Sequence, residues 1–303
     1  MQISICICTY RRTSVLDTIK SILAQSSPGS VLAEIVVCDD DPARSAQAAI
    51  EAIAARSAAP ILYLYSGASN VAAARNVCLA GARSRFIAFI DDDEICEPDW
   101  ISQLLLTQAK YGADVVKGFV RGVYPSATPT WIRRGDPFTR DCGPTGTAVV
   151  TIGTGNVLFN REFAMTNNIS FDVDHGPGLE DIVFFWRMGS LGAKMIACRE
   201  AVVNEIVPLN RVTPEYIRQR CRHFGRAHGS KTTNMLHGAK PVRDGIIATA
   251  CVMLLWPPVF IRLGQGSAFW GRLYCRCFTK FWYSVGMLEG IVRSRRVLKV
   301  TSN

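Results

Sequence analysis

The sequence predicts an α/β protein: a mostly parallel, Rossmann-like sheet flanked by helices, followed by a helical membrane-associating extension. Three observations lead there. Over the first hundred residues, short apolar runs alternate with amphipathic segments, the pattern of parallel strands covered on both faces by crossover helices. Acidic residues stand directly after two of those runs. Charge is also unevenly divided: residues 1–210 hold 18 Lys and Arg against 22 Asp and Glu, whereas residues 211–303 hold 16 against 3. The domain boundary is therefore placed at 210, with an acidic body before it and a cationic attachment surface after it.

In chain order, Ile3–Cys8 reads as a strand, Ser14–Ala24 as a helix, Glu34–Cys38 as a strand and Pro42–Ser57 as an Ala-rich helix. Ile61–Tyr65 follows as a strand, Val71–Ala82 as a helix and Phe86–Ile90 as a strand. Between 113 and 210, strands are expected at Asp114–Val120, Thr147–Thr151 and Val157–Asn160, and an amphipathic helix at Ile182–Leu191. With 49% apolar and 19% charged residues the chain is neither disordered nor low in complexity. Its 11 cysteines are odd in number, lack a C-x-x-C pair and partly fall in apolar runs (Cys6, Cys8, Cys38), which argues for buried hydrophobes in a reducing compartment. The N-terminus has no basic region and too short an apolar stretch for a signal peptide, so the body is expected in the cytoplasm.

In open α/β sheets, ligands bind beyond the carboxyl ends of the strands. Strand one ends in Thr9-Tyr10-Arg11-Arg12, strand two in Asp39-Asp40-Asp41 and strand four in Asp91-Asp92-Asp93-Glu94. Clustered aspartates repel one another unless a cation or hydrogen-bond donors neutralise them. One such cluster is ordinary turn and N-cap chemistry, and Asp41-Pro42 would suit a helix start. Two clusters at equivalent strand ends point instead to a metal or anion site. Neither G-x-G-x-x-G nor a GK[ST] loop is present, so a divalent cation on carboxylates is the expected phosphate holder. Glu180-Asp181 at the start of the Ile182–Leu191 segment reads either as helix-dipole stabilisation or as a source of a general base.

Taken together, I-C-I-C-T-Y-R-R, I-V-V-C-D-D-D, N-V-A-A-A-R-N (70–76), F-I-A-F-I-D-D-D-E-I-C-E-P-D-W (86–100), G-T-G-N (153–156) and G-L-E-D (178–181) resemble the family 2 inverting glycosyltransferases of GT-A fold. A narrower likeness is to bacterial succinoglycan-type exopolysaccharide glycosyltransferases. The resemblance implies a nucleoside-diphosphate sugar, UDP-linked, as donor. Thr9 and Arg11 would flank the base, Asp39 or Asp40 would accept its N–H, and Arg75 would face the nucleotide-sugar. Asp91 and Asp93 fill the D-x-D positions as Mn²⁺ or Mg²⁺ ligands, Asp93 the direct one, and Asp91 and Asp92 would also lie beside the nucleotide-sugar. Asp181 would be the general base and Glu180 would orient the acceptor. Val202–Ile206 lacks the family's histidine, which leaves Glu205, or His223 or His228, as the third metal ligand.

In the basic third, Thr213–Ala227 reads as a helix. Gly245–Ile261 is uncharged but short for a bilayer span and broken by Pro257-Pro258. Ala268–Gly290 mixes aromatics with Arg and Lys, as at a lipid headgroup interface. The expected partners are an anionic membrane surface and a lipid-linked (polyprenyl diphosphate) glycan acceptor at the cytoplasmic face of the cell membrane, and not nucleic acid. A helix packed on the body, or a homo-oligomer interface, is the competing reading of that segment. For the whole chain, the competing reading is a non-catalytic membrane-surface interaction protein that retains a nucleotide-binding fold.

Overall fold

The computed structural model describes residues 2–26, 32–174, 178–235 and 268–300. The chain forms two compact units, Met1–Arg121 with Thr139–Ile206, and Gly122–Phe138 with Val207–Asn303.

The first unit is built on a sheet of order β3-β2-β1-β4-β7-β6-β8-β5. Its parallel half consists of β1 (Ile3–Thr9), β2 (Leu32–Asp39), β3 (Ile61–Tyr65) and β4 (Phe86–Phe89). These strands are joined by α1 (Val15–Leu23), α2 (Gln47–Ala54) and α3 (Val71–Gly81), as the alternating pattern predicts. The other half adds β5 (Glu94–Cys96), β6 (Val115–Val123), β7 (Val157–Asn160) and β8 (Met195–Ile206). There β4–β7, β6–β7 and β5–β8 run antiparallel. The helices of this half are α4 (Trp100–Tyr111), α6 (Arg161–Thr166) and α7 (Glu180–Ser190); α5 (Thr130–Gly135) belongs to the second unit.

Two local expectations change. The helix expected over Pro42–Ser57 is confined to Gln47–Ala54. The Asp39 and Asp41 carboxylates take the N–H groups of Ala46 (3.1 Å) and Ala43 (3.2 Å) and hold the intervening residues in a turn. Thr147–Thr151 forms no strand of its own: it pairs along β8 through an Ala148–Ile196 bridge and the Val149 N–H to the Met195 carbonyl (3.1 Å), with Val149 against the core and Val150 exposed.

α7 is fixed by aromatic packing. Its Phe184 stacks on Phe171 with centroids 4.1 Å apart and meets Phe159 of β7 at 5.3 Å, and Phe185 meets Phe159 edge-on at 5.5 Å. The A-R-N string of α3 helps: Asn76 donates to the Phe171 carbonyl and accepts its N–H, both at 2.8 Å.

In the second unit, α8 (Pro214–Met235) and α9 (Ala268–Val300) pack backbone against backbone. A Cβ on Gly225 would lie 2.0 Å from the Tyr283 carbonyl oxygen, and one on Gly286 2.0 Å from that of Arg222. Glu289 of α9 bridges Arg222 and Arg226 of α8. Trp131 of α5 meets Tyr274 and Phe278 edge-on at 5.2 and 5.5 Å. Gly122–Phe138 thus groups with the C-terminal residues, whereas a boundary at 210 put it with the body. The cause is burial: Ile132 and Phe138 share an apolar cluster with Val212 and Ile217. Among the described residues no helix is long and apolar enough to cross a membrane, and Gly245–Ile261 lies outside them.

Candidate active site

The ends of β1, β2 and β4 gather the acidic clusters, and two arginines thread through them. Thr9 donates to Asp92 Oδ2 at 2.9 Å, and Arg12 Nη1 reaches Asp92 (2.7 Å) and Asp93 (2.8 Å). Burial pushes the Asp92 carboxyl up to about 6 although Arg12 opposes it. Arg11, in left-handed conformation (φ 54°), lays its Nε 3.0 Å from Asp41 Oδ1. Asp39 has no accessible surface and spends its carboxylate on the N–H groups of Asp41 and Ala46 and on the Tyr63 hydroxyl. Asp40, also buried, accepts from Ser66 Oγ (2.5 Å) and the Ala68 N–H (3.2 Å). The two expected base acceptors are therefore turned inward, onto the turns that follow β2 and β3.

Asp91 faces outward, with 40% of its side chain exposed. Its loop is tied down from beneath, where buried Glu94 accepts the Asp91 N–H at 3.0 Å. Arg140 then caps the set at 2.6 Å from Glu94, 2.8 Å from Glu205 and 3.8 Å from Asp91. Burial works against the Arg140 charge, yet Glu94, Glu205 and Asp91 outweigh it and raise its pKa.

The Gly153–Asn156 loop runs between these carboxylates and Asp181. A Cβ on Gly155 would sit 2.7 Å from Asp91 Oδ2 and 2.9 Å from Glu94 Oε1, and one on Gly153 3.0 Å from Asp181 Oδ2. Any larger residue at either position would have to displace these carboxylates. The loop is pinned by Asn156, which accepts from Trp100 Nε1 (2.7 Å) and donates to the carbonyls of Phe119 and Ala201 (both 2.8 Å), and by buried Lys117 on the Gly155 and Asn156 carbonyls.

The paired acids opening α7 differ in environment. Glu180 is buried; its Oε2 accepts the N–H groups of Gly178 (2.7 Å) and Leu179 (2.9 Å), and its Oε1 takes Arg75 Nη1 at 2.6 Å. Burial would raise its pKa, but Arg75 and those N–H groups lower it on balance. Asp181 accepts the Ile182 N–H at 2.7 Å and is shifted the other way: burial raises its pKa, repulsion from Glu180 adds to this, and Arg75 opposes it. One acid is thus a fixed anion and the other a better proton acceptor. Arg75, expected to face the nucleotide-sugar, is itself buried in that pair.

Glycosyl transferase family 2 is the family whose model matches residues 4–166. The succinoglycan biosynthesis protein ExoM of Rhizobium meliloti (strain 1021) is 33% identical over 263 residues, 84% of this chain and 85% of that protein. The chain is a member of glycosyltransferase family 2. Its fold is shared with the crystal structure of S. aureus TarS 1–349 (TM-score 0.57, 16% identity, 94% of this chain and 92% of that one) and with the same protein in complex with UDP-GlcNAc (TM-score 0.56, 15% identity).

In this family 2 glycosyltransferase the expected metal ligands do not converge. Asp93 is held by Arg12 and Glu205 by Arg140, and among the described residues no group of three or more His, Cys, Asp or Glu is placed to hold a metal. His223 is exposed and lies edge-on to Phe224, while the side chain of His228 falls outside the described residues. Of the expected carboxylate ligands only Asp91 faces outward, so it is the one that would hold a divalent cation, a count that suits Mg²⁺, which takes one or two protein carboxylates. The motif strings contain Arg12 and Asn156 without giving them a role, and they miss Lys117 and Arg140 altogether. Arg140 lies 46 residues from Glu94 and 65 from Glu205 in sequence, and no local pattern announces it.

Proposed function

We propose that this glycosyltransferase uses a UDP-sugar, inverts the anomeric centre, and extends a lipid-linked (polyprenyl diphosphate) glycan in exopolysaccharide synthesis at the cytoplasmic face of the cell membrane. The observation that carries the reading is the Gly153–Gly155 loop bracketed by outward-facing Asp91 at one end and by Asp181 at the other. Its placement in exopolysaccharide synthesis is supported by the similarity to ExoM, and the UDP-sugar by the TarS complex with UDP-GlcNAc.

Asp181 removes the proton of an acceptor hydroxyl, and the oxygen attacks the anomeric carbon on the face opposite the diphosphate. The new C–O bond forms as the bond to UDP breaks, and UDP leaves with the electron pair. Glu180, fixed by Arg75 and two backbone N–H groups, keeps the start of α7 in place beneath the acceptor. Asp91 would hold Mn²⁺ or Mg²⁺, which supplies countercharge for the diphosphate when bound. Arg12 and Arg140 keep the neighbouring acids neutralised and Asp91 extended.

The test is UDP release from a panel of UDP-sugars, with and without Mn²⁺, in the presence of membrane lipid extract. Metal-stimulated release that requires the extract is expected. A chain that binds UDP yet releases none from any UDP-sugar would be a nucleotide-binding surface protein instead.

A further inference from the structure

A second place in the molecule carries the chemistry of an anion site with an apolar floor. In the unit formed by Gly122–Phe138 and Val207–Asn303, a pocket of about 240 Å³ opens between the end of α5, one face of α8 and α9. From α8 it is lined by Ile217, Arg220, Cys221 and Phe224, a 0, 3, 4, 7 spacing that puts all four on one side of the helix. Arg276 and Thr279 of α9 complete the polar rim. None of the lining residues is acidic.

The Arg220 guanidinium lies 4.5 Å above the Phe138 ring centroid and 5.7 Å from that of Phe224, which orients it as a flat, aromatic-backed cation. Arg276 is exposed at the rim. The floor is apolar: Ile217 and Cys275 are almost fully buried, and burial pushes the Cys275 and Cys221 thiols up to about 12 and about 11, so both stay uncharged. Asp136, close on the α5 side, is held by the Tyr124 hydroxyl at 2.7 Å. Two guanidiniums over apolar walls match a phosphate that carries a hydrocarbon chain, and match neither a neutral sugar nor an alkyl chain alone. The volume falls below the roughly 300–1,000 Å³ of pockets that enclose a whole drug-sized ligand, so the pocket takes a head group and the beginning of a tail.

The geometry points to this pocket as a seat for the diphosphate and first isoprene of a polyprenyl diphosphate carrier, with Arg220 and Arg276 as its anion contacts. The inference rests on reading the acceptor as lipid-linked, but its test does not need sugar transfer. Calorimetric titration of the full chain with farnesyl diphosphate, inorganic pyrophosphate and farnesol separates the sources of the signal. Farnesyl diphosphate is expected to bind at least tenfold more tightly than either pyrophosphate or farnesol, and to do so with UDP at saturation. Arg276→Glu should weaken farnesyl diphosphate roughly ten- to a hundredfold, as loss of a charge-assisted contact does, and leave UDP binding unchanged. Arg276→Gln, the milder change at an exposed position, should weaken it in the same direction.

Pyrophosphate binding as tightly as farnesyl diphosphate would make this a free-phosphate site and overturn the proposal. Displacement of farnesyl diphosphate by UDP would place the lipid in the donor site and overturn it equally. Unchanged affinity in both Arg276 variants would remove the pocket. Failure of the chain to release UDP from any UDP-sugar, with farnesyl diphosphate binding intact, would strike the transfer reading and leave the pocket standing.

Discussion

At the scale of single residues, the candidate site gives like groups unlike surroundings. Asp181 and Glu180 are adjacent in sequence, yet burial raises the pKa of the first while Arg75 and backbone N–H groups hold the second low. As the proposed base, Asp181 acts only when ionised, so its raised pKa is expected to place the acid limb of kcat/KM above the ordinary aspartate value near 3.9. Asp181→Asn should lose roughly 10² to 10⁴ in transfer rate while still binding UDP; wild-type-like transfer would remove Asp181 from the mechanism. Arg75 lowers the Asp181 pKa from the other side of the pair. Arg75→Gln is therefore expected to move the acid limb to higher pH, and a limb that stays put would uncouple the two. Motif reading singled out Asp181, Glu180, Arg75 and Asp91 as candidates. It did not reach the partnership of Arg75 with Glu180, because a bond across 105 positions leaves no local trace.

At the scale of elements, backbone contacts made possible by glycine decide most. Gly155→Ala would push a methyl against Asp91 and Glu94. Asp91 is 40% exposed and its contact with Arg140 is long (3.8 Å), so its carboxylate can give way and the cost should fall on ligand binding more than on folding. The expected result is weaker UDP affinity in Mn²⁺ by titration, with a destabilisation of no more than about 1–3 kcal/mol in thermal melts. Gly286→Ala meets the Arg222 carbonyl at 2.0 Å, a backbone atom that cannot rotate away. It should lower stability by about 1–3 kcal/mol or more, and an unchanged melting curve would contradict the close packing of α8 on α9. The periodicities of α1, α3 and the four parallel strands are readable because each is a local pattern. The Gly225 and Gly286 contacts have no such signal, since in the sequence alone these glycines look like weak points in helices that otherwise read as aromatic and basic.

At the scale of the molecule, the excess of 16 basic over 3 acidic residues in 211–303 sets its electrostatics. Lys and Arg near an anionic leaflet contribute about 1 kcal/mol each, and salt shortens their reach from about 10 Å at 0.1 M to about 3 Å at 1 M. Sedimentation with phosphatidylglycerol vesicles should therefore capture the chain at about 0.05 M salt and release most of it at about 1 M. Retention at high salt would assign the attachment to apolar insertion. Tyr274 and Phe278 would contribute little to such insertion, because they already pack on Trp131.

The alternation of strands and helices, the acidic strand ends, the family strings and the division of charge are properties of neighbouring residues, and each could be read in order along the chain. The antiparallel half of the sheet, the turning of Asp39 and Asp40 into the protein, the capture of Glu205 by Arg140 and the grouping of Gly122–Phe138 with the C-terminal helices are contacts between distant positions. Burial and charge neutralisation select among such contacts only after the chain has closed on itself, and a linear string of residues does not carry that information.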